Sequence, residues 1–122
     1  IIEKHKLIVA TIFIFKKRKI MNDMEIIYEY VNITASDRLE NHIEEKLATI
    51  KKRYSFITRA DVFLKKDNKD DNAEQHCGIR LSAPGPRLYA SSEESDFIKA
   101  INETISDLKD QLERRQASMS TH

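Results

Sequence analysis

The chain has 122 residues, of which 40% are hydrophobic and only two are glycine and two proline, and this size fits one small globular domain. Its single cysteine, Cys77, excludes an internal disulfide and a multi-cysteine zinc site, and it indicates a reducing compartment. Residues 1–20 hold six basic and one acidic side chain, which leaves 15 basic and 19 acidic ones, a net charge of −4, for residues 21–122, so bulk charge alone does not predict nucleic-acid binding.

The first twenty residues form a basic and apolar segment. The apolar run Leu7–Phe15 is far shorter than the roughly 20 residues that cross a bilayer. It is followed directly by the basic run Lys16–Lys19 rather than by the small residues of a signal-peptide cleavage site. Because Met21 and Met24 both precede the first clean strand pattern, we interpret residues 1–20 as an appendage that the native protein can lack. The alternative is a basic arm that contacts RNA or a membrane.

The next two elements are predicted from residue type and spacing. Residues Glu25–Asn32 are rich in β-branched and aromatic types, which favours a strand. A helix follows to about Arg53, and its N-cap is either Ser36 or the capping box of Thr34 and Asp37. Its apolar residues recur at the helical spacing of one buried stripe: Leu39, Ile43, Leu47, Ile50 and Tyr54.

Three further strands are predicted. Alternating apolar and polar residues from Ala60 to Lys65 are typical of a strand with one buried face. After the polar turn Asp67–Asn72, a second alternating stretch covers about Ala73 to Ala83. The dipeptide Pro84-Gly85 suits the centre of a type II turn, since proline presets φ and glycine accepts a positive φ. This turn predicts a hairpin to a strand at Arg87–Ser91.

A long amphipathic helix ends the predicted domain. It spans about Glu94 to Arg115, starts at Ser92 or Ser95, and buries one apolar stripe: Phe97, Ile101, Ile105, Leu108 and Leu112. Both helices must hide a stripe, so the economical packing places them on one face of a four-stranded sheet. The predicted class is α+β, a two-layer sandwich of order strand-helix-strand-strand-strand-helix. It covers residues 21–122, with a short flexible tail from about residue 116.

Two predicted surfaces carry basic residues in patterns that suit RNA. The first helix has a polar to basic stripe beside its buried one, which suits a phosphate backbone: Arg38, His42, Lys46, Thr49 and Arg53. The open sheet face mixes cations with aromatic side chains, as RNA-binding sheets do: Arg59, Phe63, Lys65 and Arg80, with Arg87 or Tyr89 beside them. The alternatives are a solvated helix flank and a Phe63 that packs under a loop. The second helix carries acidic residues that repel RNA: Asp96, Glu103, Asp107 and Asp110.

The sequence offers no pattern for catalysis or cofactor binding. It has no phosphate-cradling glycine loop and no nucleophile motif, and alternation along a strand places His76 and Cys77 on opposite sheet faces. The four histidines have no ligand spacing, so no metal site is predicted. We therefore expect neither an enzyme nor a cofactor, and we interpret Cys77 as a small core residue.

Three stretches of the chain carry a family likeness: ITASDRLENHIEEKLATIKKRY (Ile33–Tyr54), ADVFLKKD (Ala60–Asp67) and IRLSAPGPRLYASSEESDFIKAINETISDLKDQLERR (Ile79–Arg115). The Val-Phe-Leu-Lys strand, the Pro-Gly hairpin and the Ser-Asp-Phe entry to a helix that ends in Gln-Leu and basic residues are together specific. Over residues 25–115 the sequence therefore resembles the short ribosome hibernation promoting factor and ribosome-associated inhibitor family.

The resemblance implies a cytoplasmic protein that lodges in the mRNA channel of the small ribosomal subunit. It would overlap the tRNA and mRNA sites and inhibit translation in stationary phase or stress. The basic positions that match the family's rRNA contacts are Arg38, Lys46, Arg53, Lys65, Arg80, Lys109 and Arg114, with Lys66, Lys99 and Arg115 as weaker matches. The sequence departs from the family at Thr49, where relatives commonly have lysine, and at Asp107 and Asp110, where many have basic residues. Each lost phosphate contact weakens binding.

The partners expected from the resemblance are the small ribosomal subunit and its rRNA, with no DNA and no membrane, and the protein is expected to be a monomer off the ribosome. Two other functions stay open. One is a free-standing RNA-binding module, because two helices against an antiparallel sheet also describe such domains. The other is a protein-interaction regulator that uses the acidic side of the second helix.

Overall fold

The structure, a computed structural model, describes residues 14–67 and 73–120. The elements follow in chain order: β1 (Ile14–Met21), β2 (Met24–Val31), α1 (Asp37–Arg53), β3 (Arg59–Lys66), β4 (Gln75–Ser82), β5 (Leu88–Glu94) and α2 (Phe97–Ser120). Neither of these two helices is long and apolar enough to cross a membrane. Beyond Asp67, the polar turn predicted at residues 67–72 lies outside the described residues.

The strands lie side by side in chain order and form one sheet. β2 and β3 pair in parallel because α1 carries the chain back between them, and every other neighbouring pair is antiparallel. Both helices cover the same face. The Tyr28 hydroxyl of β2 donates to Glu44 of α1 at 2.7 Å, and the Thr104 hydroxyl of α2 donates to the Cys77 carbonyl of β4 at 3.2 Å. The predicted α+β two-layer architecture is confirmed.

The sheet has five strands rather than the four that were predicted. The added strand is β1, which lies in the segment interpreted as an appendage. A two-residue turn joins it to β2, and both turn residues, Asn22 and Asp23, have positive φ, at 51° and 60°. Type I′ hairpin turns require this conformation, and asparagine and aspartate tolerate it. The domain therefore begins before residue 21, while residues 1–13 lie outside the described residues and their status stays a prediction.

The N-cap of α1 follows the simpler of the two predicted alternatives. The Ser36 hydroxyl oxygen accepts a hydrogen bond from the backbone N–H of Leu39 at 3.2 Å. The five residues of the predicted apolar stripe of α1 are all buried in the core. The capping residue therefore predicted the start of this helix, and the spacing of its apolar residues predicted its buried face.

Both ends of α2 differ from the prediction. Ser92 pairs with Cys77 in the β4–β5 ladder, so β5 continues to Glu94 and is longer than the predicted strand at Arg87–Ser91. The helix starts instead after Asp96, whose carboxylate accepts from the backbone N–H of Ile98 at 3.3 Å. It then continues to Ser120, through residues predicted to form a flexible tail.

The β4–β5 hairpin and Cys77 agree with the prediction. Gly85 has φ +91°, the positive value that the second central residue of a type II turn needs. The Cys77 side chain is fully buried, and burial raises the pKa of its thiol to about 12. Cys77 is therefore a protonated core residue, while His76 lies on the other face of the sheet.

Candidate functional site

The basic stripe of α1 lies along the seam between the two helices. His42 belongs to this stripe, and its Nε2 lies 2.7 Å from Oδ1 of Asn102 on α2. Lys109 lies two helical turns after Asn102 and therefore on the same side of α2. We call this surface the interhelix groove and define it by four cations: Arg38, Lys46, Arg53 and Lys109.

The cations of the interhelix groove are available to a ligand. Arg38, Arg53 and Lys109 are exposed and Lys46 is half-buried. Within the described residues, none of the four forms an ion pair with a carboxylate, whereas many other cations of the domain do. The Arg53 guanidinium lies 5.3 Å from the centre of the Tyr54 ring, which restricts the position of its charge. The groove therefore presents four cations, three from α1 and one from α2, that no described carboxylate pairs with.

The opposite flank of α1 carries a buried carboxylate that β1 neutralises. Glu40 is fully buried, and its Oε1 lies 2.8 Å from the Lys19 ammonium and 3.1 Å from the Lys17 ammonium. The Tyr30 hydroxyl donates to its Oε2 at 2.5 Å. We call these four residues, Lys17, Lys19, Tyr30 and Glu40, the buried-acid network. Two lysines of the basic run at residues 16–19 are thus used inside the fold.

The protonation of the buried-acid network follows from its contacts. Burial by itself would raise the pKa of Glu40, but contacts with Lys19, Tyr30 and Lys17 outweigh it and hold that pKa below its ordinary value. Hydrogen bonds to Glu40 and then to Glu44 raise the pKa of Lys19. The network is therefore an ion pair at neutral pH, with Glu40 ionised and Lys19 charged.

The open sheet face carries the predicted cations, but two of them are partly neutralised. Arg59 Nη2 lies 2.8 Å from Asp61 Oδ1, and Arg80 Nε lies 3.7 Å from Asp61 Oδ2. The Arg80 guanidinium also lies 5.6 Å from the centre of the Phe63 ring. Lys65 is exposed and, among the residues that the structure describes, has no acidic partner. Lys65 is therefore an accessible cation on this face.

The remaining predicted contacts are spread over the molecule. Arg114 is exposed near the end of α2, and Lys66 is half-buried at the end of β3. The Lys99 ammonium lies 3.8 Å from a carboxylate oxygen of Glu94, beside β5. Arg115 has an internal role, because its guanidinium donates to the carbonyls of Pro84 and Pro86 at 2.6 and 2.8 Å. The structure therefore does not bring these four residues into one site.

The role of Arg115 leads to a stability prediction. The Arg115→Ala variant is expected to lose about 1 kcal/mol of unfolding free energy, because two charged hydrogen bonds to the β4–β5 turn disappear at a partly exposed site. Urea denaturation of the variant and of the parent measures this loss. The Arg114→Ala change at the neighbouring exposed position is the matched control and should leave stability within about 0.5 kcal/mol. Equal effects of the two changes would contradict the turn contact.

The acidic residues predicted on α2 are all exposed: Asp96, Glu103, Asp107 and Asp110. Contact with the Glu94 carboxylate raises the pKa of Glu103.

One cluster of the described residues has a geometry that could hold a metal ion. On the open sheet face, one ligand atom each of Glu74, His76 and Glu93 lies within 4.8 Å of the other two. They come from two strands and a loop, so sequence spacing did not reveal them. The expectation of no metal stays a prediction.

The amino-acid sequence matches a known family model over most of the described domain. Residues 26–120 match the model described as sigma 54 modulation protein / S30EA ribosomal protein. The chain belongs to this family. Membership in the S30EA family confirms the resemblance found in the sequence. The match begins inside β2, so β1 lies before the matched region, while its partner Glu40 lies within it.

Solved structures show the same fold as this S30EA family member. The N-terminal domain of Protein Y from Thermus thermophilus superposes with a TM-score of 0.61 at 24% identity, covering 79% of this chain and 98% of that one. A ribosomal subunit interface protein from Coxiella burnetii gives a TM-score of 0.63 at 19% identity, covering 72% and 92%. No sequence among curated proteins matches the chain.

Proposed function

We propose that this S30EA family member is a ribosome hibernation factor. In this proposal it occupies the mRNA channel and tRNA sites of the small ribosomal subunit, binds rRNA there, and inhibits translation in stationary phase or stress. It would act in the cytoplasm as a monomer and block by occupancy, without catalysis. The single observation that carries the proposal is the interhelix groove of this family member, whose four cations have no acidic partner among the residues that the structure describes.

The distribution of charge supports binding mainly through the helix side of the molecule. The groove cations can displace counterions from phosphates, whereas Arg59 and Arg80 already share Asp61, and Arg115 is engaged with the β4–β5 turn. Lys65 and Arg114 are accessible and would add contacts at the periphery. The exposed carboxylates of α2 would face solvent or a protein neighbour, since they repel phosphate. The Coxiella burnetii relative is named as a ribosomal subunit interface protein, which agrees with this location.

Sedimentation with purified ribosomal subunits tests the proposal. The full chain is expected to comigrate with the small subunit in a sucrose gradient at low salt and to leave it at high salt, because phosphate contacts are screened. Prior occupation of the subunit by mRNA and tRNA should reduce this comigration. Protein that stays at the top of the gradient would overturn the proposal. Equally tight binding to short RNA duplexes would favour a free-standing RNA-binding module instead.

A further inference from the structure

The open face of the sheet contains a depression on the side away from the helices. It has a volume of about 210 Å³ and is lined by Phe63, Lys65, His76, Gly78, Tyr89 and Ser91, among others. Gly78 forms its floor, because a Cβ atom added there would lie 2.6 Å from the Tyr89 hydroxyl oxygen. The Tyr89 ring therefore lies across bare backbone, while Phe63 stands directly opposite Gly78 on the neighbouring strand.

The depression combines open aromatic surface with nearby positive charge. Tyr89 is 51% exposed although its hydroxyl end lies against the sheet, so part of its ring is accessible from solvent. Phe63 is half-buried, with the Arg80 guanidinium 5.6 Å from its ring centre, and Lys65 is exposed at the rim. This set of aromatic rings and cations is the one that proteins use to stack unpaired nucleic-acid bases beside their phosphates.

Two carboxylates at the rim, those of Asp67 and Glu93, contact the His76 ring. Its Nε2 lies 3.0 Å from Asp67 and its Nδ1 lies 3.1 Å from Glu93. Glu74 lies beside Glu93, and this contact raises the pKa of Glu74. The negative charge therefore gathers at the His76 end of the depression. Lys65 pairs directly with His76 at this acidic end, and Arg80 lies beyond Phe63 at the other end, so the two cations flank the Phe63 ring along the strands.

We propose that Phe63, Gly78 and Tyr89, which we call the base slot, bind one unpaired nucleobase of RNA by stacking, with Lys65 and Arg80 beside the flanking phosphates. The inference rests on the proposed rRNA binding and adds a base contact to its phosphate contacts. The base slot and the interhelix groove lie on opposite sides of the sheet. A protein seated in an RNA-walled channel would contact RNA on both of these sides.

The test separates base stacking from phosphate binding. The probes are two fluorescently labelled RNA oligonucleotides of equal length, one fully abasic and one with a single central adenine in the abasic backbone. The full chain is expected to bind the adenine-containing probe roughly five- to 150-fold more tightly by fluorescence anisotropy, the range of one stacked base. Tyr89→Phe keeps the ring and should keep this preference, whereas Tyr89→Leu should lose it.

Gly78→Ala gives an independent variant in which both aromatic residues are present. The added methyl group must displace the flexible end of Tyr89, so the preference for the adenine should fall while circular dichroism and thermal unfolding stay close to the parent. Equal affinity of the parent for the two probes, or an unchanged preference in Tyr89→Leu, would overturn the base slot. Ribosome cosedimentation that persists in that case would leave the proposed function standing. Its absence in the parent would instead reject the proposed function.

Discussion

Replacing Lys17 and Lys19 together by methionine is expected to lower the unfolding free energy by about 3 kcal/mol. The change leaves the Glu40 carboxylate fully buried with Tyr30 as its hydrogen-bond donor and without a cation. Removing one partner of a buried ion pair is costly because the remaining charge is neither solvated nor paired. Chemical denaturation of the variant and the parent at neutral pH measures the loss.

The same strand provides a matched control. Lys16 and Arg18 alternate with the network lysines, lie on the open face, and pair with Glu29 and Glu25 in exposed ion pairs. Their double replacement by methionine removes the same formal charge and should cost less than about 1 kcal/mol, since exposed pairs contribute little. Equal losses from the two double variants would show that the buried-acid network does not stabilise the domain.

The pH dependence of stability gives a second readout of the network, and its sign differs between parent and variant. In the parent the pKa of Glu40 is below the unfolded value of about 4.3, so the network stabilises above that pH and its contribution is lost as the pH falls through the folded pKa. In the double variant, burial without cations raises the pKa of Glu40, so this group stabilises the fold at acid pH and loses that contribution as the pH rises. Denaturation midpoints at several pH values distinguish the two.

The elements that the sequence predicted correctly are those whose signal is local. The stripe from Leu39 to Tyr54 and the turn at Pro84-Gly85 need only spacing and backbone preference, and both are confirmed. The predicted start of α2 was wrong because Ser92, a good N-cap residue by type, instead pairs with Cys77 in the β4–β5 ladder. The two residues are 15 positions apart in the sequence. Tertiary pairing decided this boundary against local preference.

The strand β1 was missed because the side chains on its covered face are lysines, which pair with the buried carboxylate of Glu40. Lys17 and Lys19 point to the covered face of the sheet, where an apolar pattern is expected, and they are accommodated by Glu40 on α1. No periodicity rule relates these distant positions. The signal that was present is Asn22-Asp23, a pair of residues that suits a two-residue hairpin turn directly before the β-branched and aromatic residues of β2.

The candidate site was predictable in its position on α1 and less so in its availability. Helical spacing placed Arg38, Lys46 and Arg53 on one flank, and the structure places that flank beside α2. Spacing could not show that Arg115 donates to the Pro84 carbonyl or that Arg80 pairs with Asp61, because these contacts join distant segments of the chain. Exposed basic residues therefore had to be separated into free and engaged ones by their three-dimensional contacts.

Reversing the charge of two groove residues, Lys46→Glu with Arg53→Glu, is expected to weaken binding to the small ribosomal subunit by roughly 100-fold at moderate salt, about 1.4 kcal/mol for each lost contact. Both side chains lie on the helix flank that borders α2, so neither change removes an internal ion pair among the described residues. Cosedimentation at several protein concentrations measures the affinity.

The salt dependence identifies which contacts were lost. Each phosphate contact contributes about −0.9 to the slope of log affinity against log salt concentration, so the Lys46→Glu, Arg53→Glu variant should show a slope shallower by roughly two units. The control, Lys16→Glu with Lys52→Glu, makes the same change in net charge at exposed positions outside the groove and should leave the slope unchanged. If both variants lost affinity equally with the same slope, net charge rather than the interhelix groove would govern binding. A loss confined to the groove variant would place the phosphate contacts along the seam of the two helices.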